Sequence, residues 1–322
     1  MSVFAGRRVL VIGGFGFLGV NLVDHLRRLG ARITIVTRSR GAHAAPAAQA
    51  DALGTAVMEG DVRDPDAMRR AVIGQEVIFN LSGQSGAVQS MEDPWTDLDV
   101  NCRGSLVLLE ALRRGNPAAK LIFVSSRLTY GRVGPAPATE GRLPEPLCIH
   151  AVHKLAVEHY LNIYGQVHGL AWSAARLTNP YGPGQSPDRT TYGIVNRMIH
   201  QAMAGRTLTV YGDGLQRRDY IYVDDTVAAL LRMAESSAST GRTYNVGSGI
   251  GTSLIDMARA ISAIAGTGPV QLIEWPPLAG QIETGDFVAD ITRIERELGW
   301  TPRVALDEGL RRTVAFYRAQ PA

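Results

Sequence analysis

Arg8-Val9-Leu10-Val11-Ile12-Gly13-Gly14-Phe15-Gly16-Phe17-Leu18-Gly19 is the stretch that decides the fold. Arg8 to Ile12 reads as a first strand, and its apolar run suits burial on both faces. Glycines 13, 16 and 19 follow in the pattern G-x-x-G-x-x-G, and a helical pattern then runs to about Leu29 and stops at Gly30, a favoured capping residue. Glycine is needed where a turn is tight, where backbone must approach a pyrophosphate, and where a helix packs on a strand. The helix N-terminus then faces the anion. Such a pattern is weak alone, but its place between a strand and a helix at the head of the chain makes it a dinucleotide fingerprint, with Gly13, Gly16, Phe17, Leu18 and Gly19 around the phosphates.

Working outward, strand-length apolar runs alternate with helical patterns, which argues for βα units and a parallel sheet. Strands are expected at Arg32 to Val36, about Ala56 to Glu59, Val77 to Leu81 and Lys120 to Ser125. The Gly/Ala/Pro-rich stretch from Gly41 to Ala50 reads as loop, and Asp64-Pro65 starts a helix with proline at its first position. Helices are expected through Leu98 to Leu112 and through Lys154 and Glu158. From Asn179 the composition shifts, with Pro180, Gly182, Pro183, Gly184 and Pro187 in an irregular segment before a helix near Ile194 to Ala204. The expected architecture is α/β: a Rossmann-like, doubly wound parallel sheet over residues 1–178 plus about 215–246, and a smaller α/β substrate-binding lobe over 179–214 and 247–322. The strand at Asp219 to Val223 is expected to return to the first lobe.

The 322 residues are long enough for two lobes. At 45% apolar and 20% charged the chain is neither disordered nor fibrous. No apolar run approaches the roughly 20 residues of a membrane helix, and strand pattern begins almost at once, leaving no room for a signal peptide. A cytoplasmic protein is expected, with no membrane contact. Two cysteines, Cys102 and Cys148, give neither a disulfide framework nor metal-ligand spacing, so no metal is expected. The net charge of +3 comes from scattered basic residues without an aromatic-basic cluster, which points away from nucleic acid and toward a phosphorylated small molecule.

The end of the second strand bears on the cofactor. An acidic residue there would bind the ribose hydroxyl of NAD, whereas this chain has Thr37-Arg38-Ser39-Arg40. Arg38 and Arg40 could grip the 2′-phosphate of NADP, or form a solvated basic loop. NADP is therefore favoured, with NAD as the alternative. Asp61 and Val62 follow the third strand where the adenine would lie, Leu81 ends the fourth, and Asp64 could cap its helix.

With these motifs in place the chain resembles the extended short-chain dehydrogenases/reductases of the nucleotide-sugar epimerase/dehydratase kind. The glycine fingerprint, Asp61, Asn101, Ser125-Ser126, Tyr130-Gly131, Lys154, Asn179-Pro180-Tyr181-Gly182-Pro183, Tyr211-Gly212-Asp213-Gly214, Arg218-Asp219, Gly285-Asp286, Ala289-Asp290, Leu298-Gly299-Trp300 and Pro302 recur in the family's order. The resemblance implies a nucleotide-diphosphate sugar between the lobes and a nicotinamide beside it. It assigns chemistry to Ser126 and Lys154, cofactor contact also to Lys154, and substrate contact to Ser126, Asn179, Tyr211, Arg218 and Asp286. It also implies a homodimer through the helices of Leu98 to Leu112 and His150 to Tyr164.

Three departures shape the reading. Four residues before Lys154, where the family has tyrosine, stands His150. Positions i and i+4 share a helix face, and an imidazole of ordinary pKa about 6.5 is already mostly neutral at pH 7, so it can take a proton without the activation a phenol needs. Alternatively His150 marks a lost active site, or Tyr130 supplies the phenol. His153 and Cys148 flank the site less directly. Where the family's 4,6-dehydratases carry an Asp-Glu pair after the Ser/Thr, this chain has Arg127-Leu128, which argues against dehydration. Glu283 replaces the arginine of the family pattern R-x-G-D, placing a carboxylate where a diphosphate would bind, unless Arg217 compensates. The expectation is an epimerase acting through a transient keto-sugar, with an NADPH-dependent keto-sugar reductase and a catalytically impaired binding protein as alternatives.

Overall fold

The computed structural model describes residues 2–185 and 193–320; Pro187 of the irregular segment lies outside the described residues. From β1 (Arg8–Ile12) the chain turns through the glycines into α1 (Phe17–Arg28), then runs β2 (Arg32–Thr37), α2 (Ala44–Ala52), β3 (Ala56–Glu59), α3 (Pro65–Val72) and β4 (Val77–Asn80). Next come α4 (Ala87–Glu92), α5 (Pro94–Asp97), a wide π turn over Leu98–Arg103 and α6 (Gly104–Gly115). β5 (Lys120–Ser126), α7 (Ile149–His168), β6 (Trp172–Leu177) and β7 (Asn179–Tyr181) follow. The remaining elements are α8 (Ile194–Met203), β8 (Leu208–Tyr211), β9 (Arg217–Tyr222), α9 (Val223–Glu235), β10 (Arg242–Val246), β11 (Gly251–Ser253), α10 (Leu254–Ala265), β12 (Val270–Ile273), α11 (Pro277–Gln281), α12 (Thr292–Leu298) and α13 (Leu306–Arg318).

Seven strands form one sheet in the order β10-β6-β5-β4-β1-β2-β3, with every neighbouring pair parallel. The order reverses between β1 and β4, and ligands of doubly wound sheets bind in the crevice beyond the strand ends at such a switch point. One face of the sheet packs Leu22 and Leu26 of α1 with Val227 and Leu230 of α9. The other packs Met68 of α3 with Leu108 and Leu112 of α6 and Val157 and Leu161 of α7. Both faces are covered, which is why β1 and β4 read as apolar runs rather than alternating patterns.

A second core gathers Tyr181, Met198, Ile199, Tyr220, Leu254 and Ile261 around two small sheets, β11-β9-β7 and β12-β8. β9 lies in the first of these, antiparallel to β11 and parallel to β7. The strand expected to rejoin the first lobe therefore does not; only α9 and β10 do. The loop expected at Gly41 to Ala50 is also corrected, because a 3-10 turn at Gly41–His43 leads into α2. Alanine is the strongest helix former and Pro46 sits in the first turn, where its missing N–H costs nothing, so Ala47 and Ala50 can be buried against the sheet. Asp64 does cap α3, accepting from the Asp66 N–H at 2.8 Å.

Candidate active site

The glycine turn is shaped by contacts that leave no room for side chains. A Cβ on Gly13, whose φ is +84°, would lie 3.1 Å from the Leu81 carbonyl carbon, and one on Gly19 would lie 2.3 Å from the Gly13 oxygen. The turn thus presses against the exit of β4, and α1 packs directly on the loop that precedes it. Phe17 is buried in the second core, and the N-terminus of α1 follows the turn at the switch point, a position suited to a pyrophosphate.

At the exit of β2, Thr37 is buried, while Arg38 and Arg40 are exposed. The two arginines differ in commitment. Arg40 pairs with Asp51 and donates to the Val57 carbonyl at 3.1 Å. Arg38 forms no ion pair among the described residues and points its field at Asp61. Asp61 accepts from the Arg63 guanidinium at 2.7 Å, which holds its carboxyl below the usual range, and Arg63 bridges on to Asp99 at 2.8 Å. Val62 is buried against Gly104.

Two of the catalytic candidates, Ser126 and Lys154, meet at the end of β5. Lys154 on α7 donates from Nζ to the Val124 carbonyl at 3.0 Å and lies 4.9 Å from the Phe123 ring centroid. Burial pushes its ammonium down to about 8. A Cβ on Gly83 would lie 3.4 Å from that Nζ and 2.6 Å from Oδ1 of Asn101, a buried oxygen without a hydrogen-bond partner. Lys154, Gly83 and Asn101 therefore pack closely together, with the unpartnered Asn101 oxygen against Gly83. Sequence reasoning passed over Gly83. Two residues beyond Val124, the Ser126 Oγ accepts from the Leu128 N–H at 3.1 Å, leaving its own hydrogen free to donate.

His150 lies one turn before Lys154 on α7 and is buried. Its N–H, which no helix carbonyl can serve at this position, donates to Ser90 Oγ of α4 at 3.0 Å. Its Nδ1 faces Oδ2 of Asp97 at 3.3 Å, and Nδ1 of His153 faces Oδ1 of the same carboxylate at 2.6 Å. Asp97 has no solvent exposure. Its burial would raise its pKa, but hydrogen bonds from His150, His153 and Asn101 outweigh that and leave the carboxyl below its usual range. Burial lowers the His150 pKa below 6.5, Lys154 and His153 lower it further, and Asp97 opposes them. Burial therefore favours the neutral ring. His153, expected to stand aside, is thus bound into the same cluster, and Asp97 went unremarked in the sequence. Its only signal is that it lies four residues before Asn101 on one helix.

Tyr130 is not a spare phenol. It is fully buried, donates to Asn245 Oδ1 at 2.7 Å beneath Arg176, and burial pushes it up to about 12. Arg176 pairs in turn with buried Glu158 at 2.6 Å, which also accepts from Ser125, so this network ties α7 to the ends of β5 and β6.

On the other lobe, Arg218 pairs with Glu283 rather than with Asp219. Asp219 is instead consumed by N–H groups of Ser248, Gly249 and Ala289. Arg217 donates to the Gly251 carbonyl at 2.8 Å, and its N–H to Asp286 at 2.7 Å, so Arg217 does not stand in for the missing family arginine. Asn179 donates to the Asp219 carbonyl at 2.8 Å, and Tyr211 packs against Trp275 with ring centroids 5.2 Å apart and planes tilted by 41°. Arg127 is buried beside Arg218, donating to Thr284 Oγ1 at 3.1 Å; burial first, then Arg218, pushes it down to about 9 while Glu283 opposes. Two buried guanidiniums facing one carboxylate form a setting for an anion. Among the described residues no group of three or more His, Cys, Asp or Glu could hold a metal, and no helix is long and apolar enough to cross a membrane.

A profile of the NAD dependent epimerase/dehydratase family matches residues 9–247. The UDP-glucose 4-epimerase of Mycolicibacterium smegmatis is 34% identical, the match covering 97% of this chain and 98% of that protein. A dTDP-glucose 4,6-dehydratase of Streptomyces griseus is 30% identical over 96% of this chain and 93% of its own length. Among solved structures, UDP-glucose 4-epimerase of Thermus thermophilus in complex with NAD superposes with a TM-score of 0.86 at 32% identity, covering 97% of this chain and 99% of that one.

Proposed function

Because this chain belongs to the NAD dependent epimerase/dehydratase family of extended short-chain dehydrogenases/reductases, we propose that it is a nucleotide-sugar epimerase inverting C4 of the sugar through a transient ketone. The observation that carries this reading is His150, buried one turn before Lys154, whose Nζ reaches the Val124 carbonyl of β5, with burial holding the imidazole pKa below its ordinary value. The glycine turn, Thr37, Arg38, Asp61, Val62, Leu81, Asn101 and Lys154 would hold the nicotinamide dinucleotide, whose ring supplies reversible hydride transfer when bound. Ser126 donates its free hydrogen to the sugar hydroxyl oxygen and orients it. His150 accepts the hydroxyl proton and later returns it, and the Lys154 charge keeps the ring neutral between turnovers.

We assign NADP ahead of NAD because no acid ends β2 and Arg38 is free to meet a 2′-phosphate; Arg40, already bound to Asp51, adds less. The substrate diphosphate goes to Arg218, with Asn179, Tyr211 and Asp286 around the nucleotide and sugar. Dehydration across C5 and C6 is excluded in this reading, since the position after Ser126 holds a buried cation rather than an acid-base pair. A homodimer would cover Trp95, Leu98, Leu106, Val152, Ile163 and Val167, which α5 to α7 leave exposed. Free, buried Cys102 and Cys148 suit a reducing cytoplasm.

A binding-only protein is the second reading, favoured by the Arg218–Glu283 pair that already occupies the diphosphate arginine. Incubation of purified holoprotein with UDP-glucose and with its 4-epimer decides between them. Interconversion in both directions without added cofactor is expected. Turnover confined to a 4-keto sugar nucleotide supplied with stoichiometric NADPH would make the protein a reductase, and no turnover at any pH would leave it a binder.

A further inference from the structure

We propose that Asp97 is a positioning residue that fixes the tautomer of His150, with His153 as the second donor that anchors the shared carboxylate. The inference rests on the proton-transfer reading of His150 but stands on its own geometry. An ionised carboxylate can only accept, so the ring nitrogen facing it carries the hydrogen. Nδ1 of His150 faces Asp97 Oδ2 at 3.3 Å and Nδ1 of His153 faces Oδ1 at 2.6 Å. Both rings are therefore Nδ1–H donors, and the His150 lone pair is left on Nε2, which takes no hydrogen bond among the described residues. A general base must present a lone pair, not a hydrogen, to the substrate hydroxyl.

The arrangement is built from distant parts of the chain. Asp97 ends α5, where the helix widens into the π turn of Leu98–Arg103, and π turns often mark functional sites. It reaches residues 53 and 56 positions later on α7. A carboxylate without solvent exposure is costly unless its oxygens are satisfied, and here each oxygen receives an imidazole. The contact to His150 is the longer of the two, as is common for catalytic hydrogen bonds before substrate tightens them.

Sharing one carboxylate makes a sharp test available. In Asp97→Asn the side chain offers one accepting oxygen and one donating amide to two rings that both need an acceptor. His153, with the shorter contact, keeps the oxygen. The amide then faces His150 and forces its hydrogen onto Nε2, the wrong nitrogen. Turnover of Asp97→Asn should fall about 100- to 10,000-fold in kcat with KM little changed. Adding His153→Phe lets the amide flip, gives His150 its acceptor again, and should recover roughly tenfold or more of the lost kcat. A merely structural Asp97 predicts the opposite, a double variant worse than the single one.

The tautomer is read directly from histidine 15N shifts of the holoprotein, with the His150 signals identified by their loss in His150→Phe. Nδ1-protonated His150 in the unmodified protein and Nε2-protonated His150 in Asp97→Asn are expected. An Nε2-protonated His150 in the unmodified protein, or an Asp97→Asn variant with unchanged kcat, overturns the proposal. If Asp97→Asn does not fold, the shifts of the unmodified protein still decide. Should His150→Phe itself retain turnover, the proton-transfer reading falls, while the tautomer assignment is judged by the shifts alone.

Discussion

Glu283→Gln should tighten diphosphate binding, because the native carboxylate occupies the arginine that a diphosphate needs. Arg218 donates to Glu283 Oε1 and to the Gly285 carbonyl, and Oε1 also accepts the Gly285 N–H at 2.9 Å. Side-chain exposure is 10% for Arg218 and 24% for Glu283, so the pair is only partly screened by water. A diphosphate on Arg218 would bring a negative charge to about 5 Å from the carboxylate, a repulsion of about 3 kcal/mol at an effective dielectric near 20. Rotation of Glu283 toward solvent relieves part of that, leaving a gain of about 1.5 kcal/mol on neutralisation, or roughly tenfold in Kd. Glutamine keeps an oxygen for the Gly285 N–H, so the loop is preserved. Calorimetric titration of the holoprotein with UDP measures the effect, and uridine, which lacks the diphosphate, is the control. UDP should bind roughly tenfold tighter to the variant while uridine binds equally. Unchanged or weaker UDP binding would refute the placement of the diphosphate on Arg218.

Gly19→Ala drives a Cβ to 2.3 Å from the Gly13 oxygen and 2.6 Å from the Gly14 carbonyl carbon, so α1 must shift. Overpacking of this kind costs about 1–3 kcal/mol, and a melting curve and a dinucleotide titration should both show the loss; unaffected affinity would remove the turn from the cofactor site. NADP should bind more tightly than NAD, and Arg38→Ala should erase the difference without weakening NAD; equal or reversed native affinities reject the reading of the β2 exit. The base form of His150 is the neutral one, and burial sets its pKa below 6.5, so kcat/KM should fall only as pH drops under about 6.5. The Lys154 ammonium is also assigned to hold the dinucleotide, so cofactor affinity and with it activity should fade as pH rises through about 8. An acid limb lying above pH 7 would contradict the assignment of His150.

The cofactor half of the molecule was legible because its signals are local. Gly16 and Gly19 each answer to a contact within the strand-turn-helix unit they sit in, Gly13 meets Leu81 and Ser82 beyond β4, and the doubly buried β1 and β4 read as apolar runs. α2 was misread because proline and glycine were weighed above alanine, although Pro46 stands in a first turn that tolerates it. β9 was assigned to the wrong sheet because strand partners are set by long-range packing, here with β7 and β11. The site divides in the same way. His150 and Lys154 declare themselves by spacing, whereas Asp97 joins them only through tertiary contact. His153, at i+3 from His150, lies on the flank opposite Lys154, and Asp97 approaches from that flank; helix spacing alone could have admitted it. The role of Glu283 also depended on structure, since only the fold shows that it meets Arg218 across 65 residues.

The most direct test of the central claim is the fate of the hydrogen on C4 of UDP-glucose deuterated at that carbon, followed by NMR on holoprotein without added cofactor. Inversion at C4 with the deuterium retained in the product is expected, since the hydrogen leaves and returns within one closed site while only the hydroxyl proton passes through His150. His150→Phe should slow this inversion about 100- to 10,000-fold with the deuterium still retained in whatever product forms. Washout of deuterium into solvent, a 4-keto-6-deoxy product, or inversion at the native rate in His150→Phe would contradict the account.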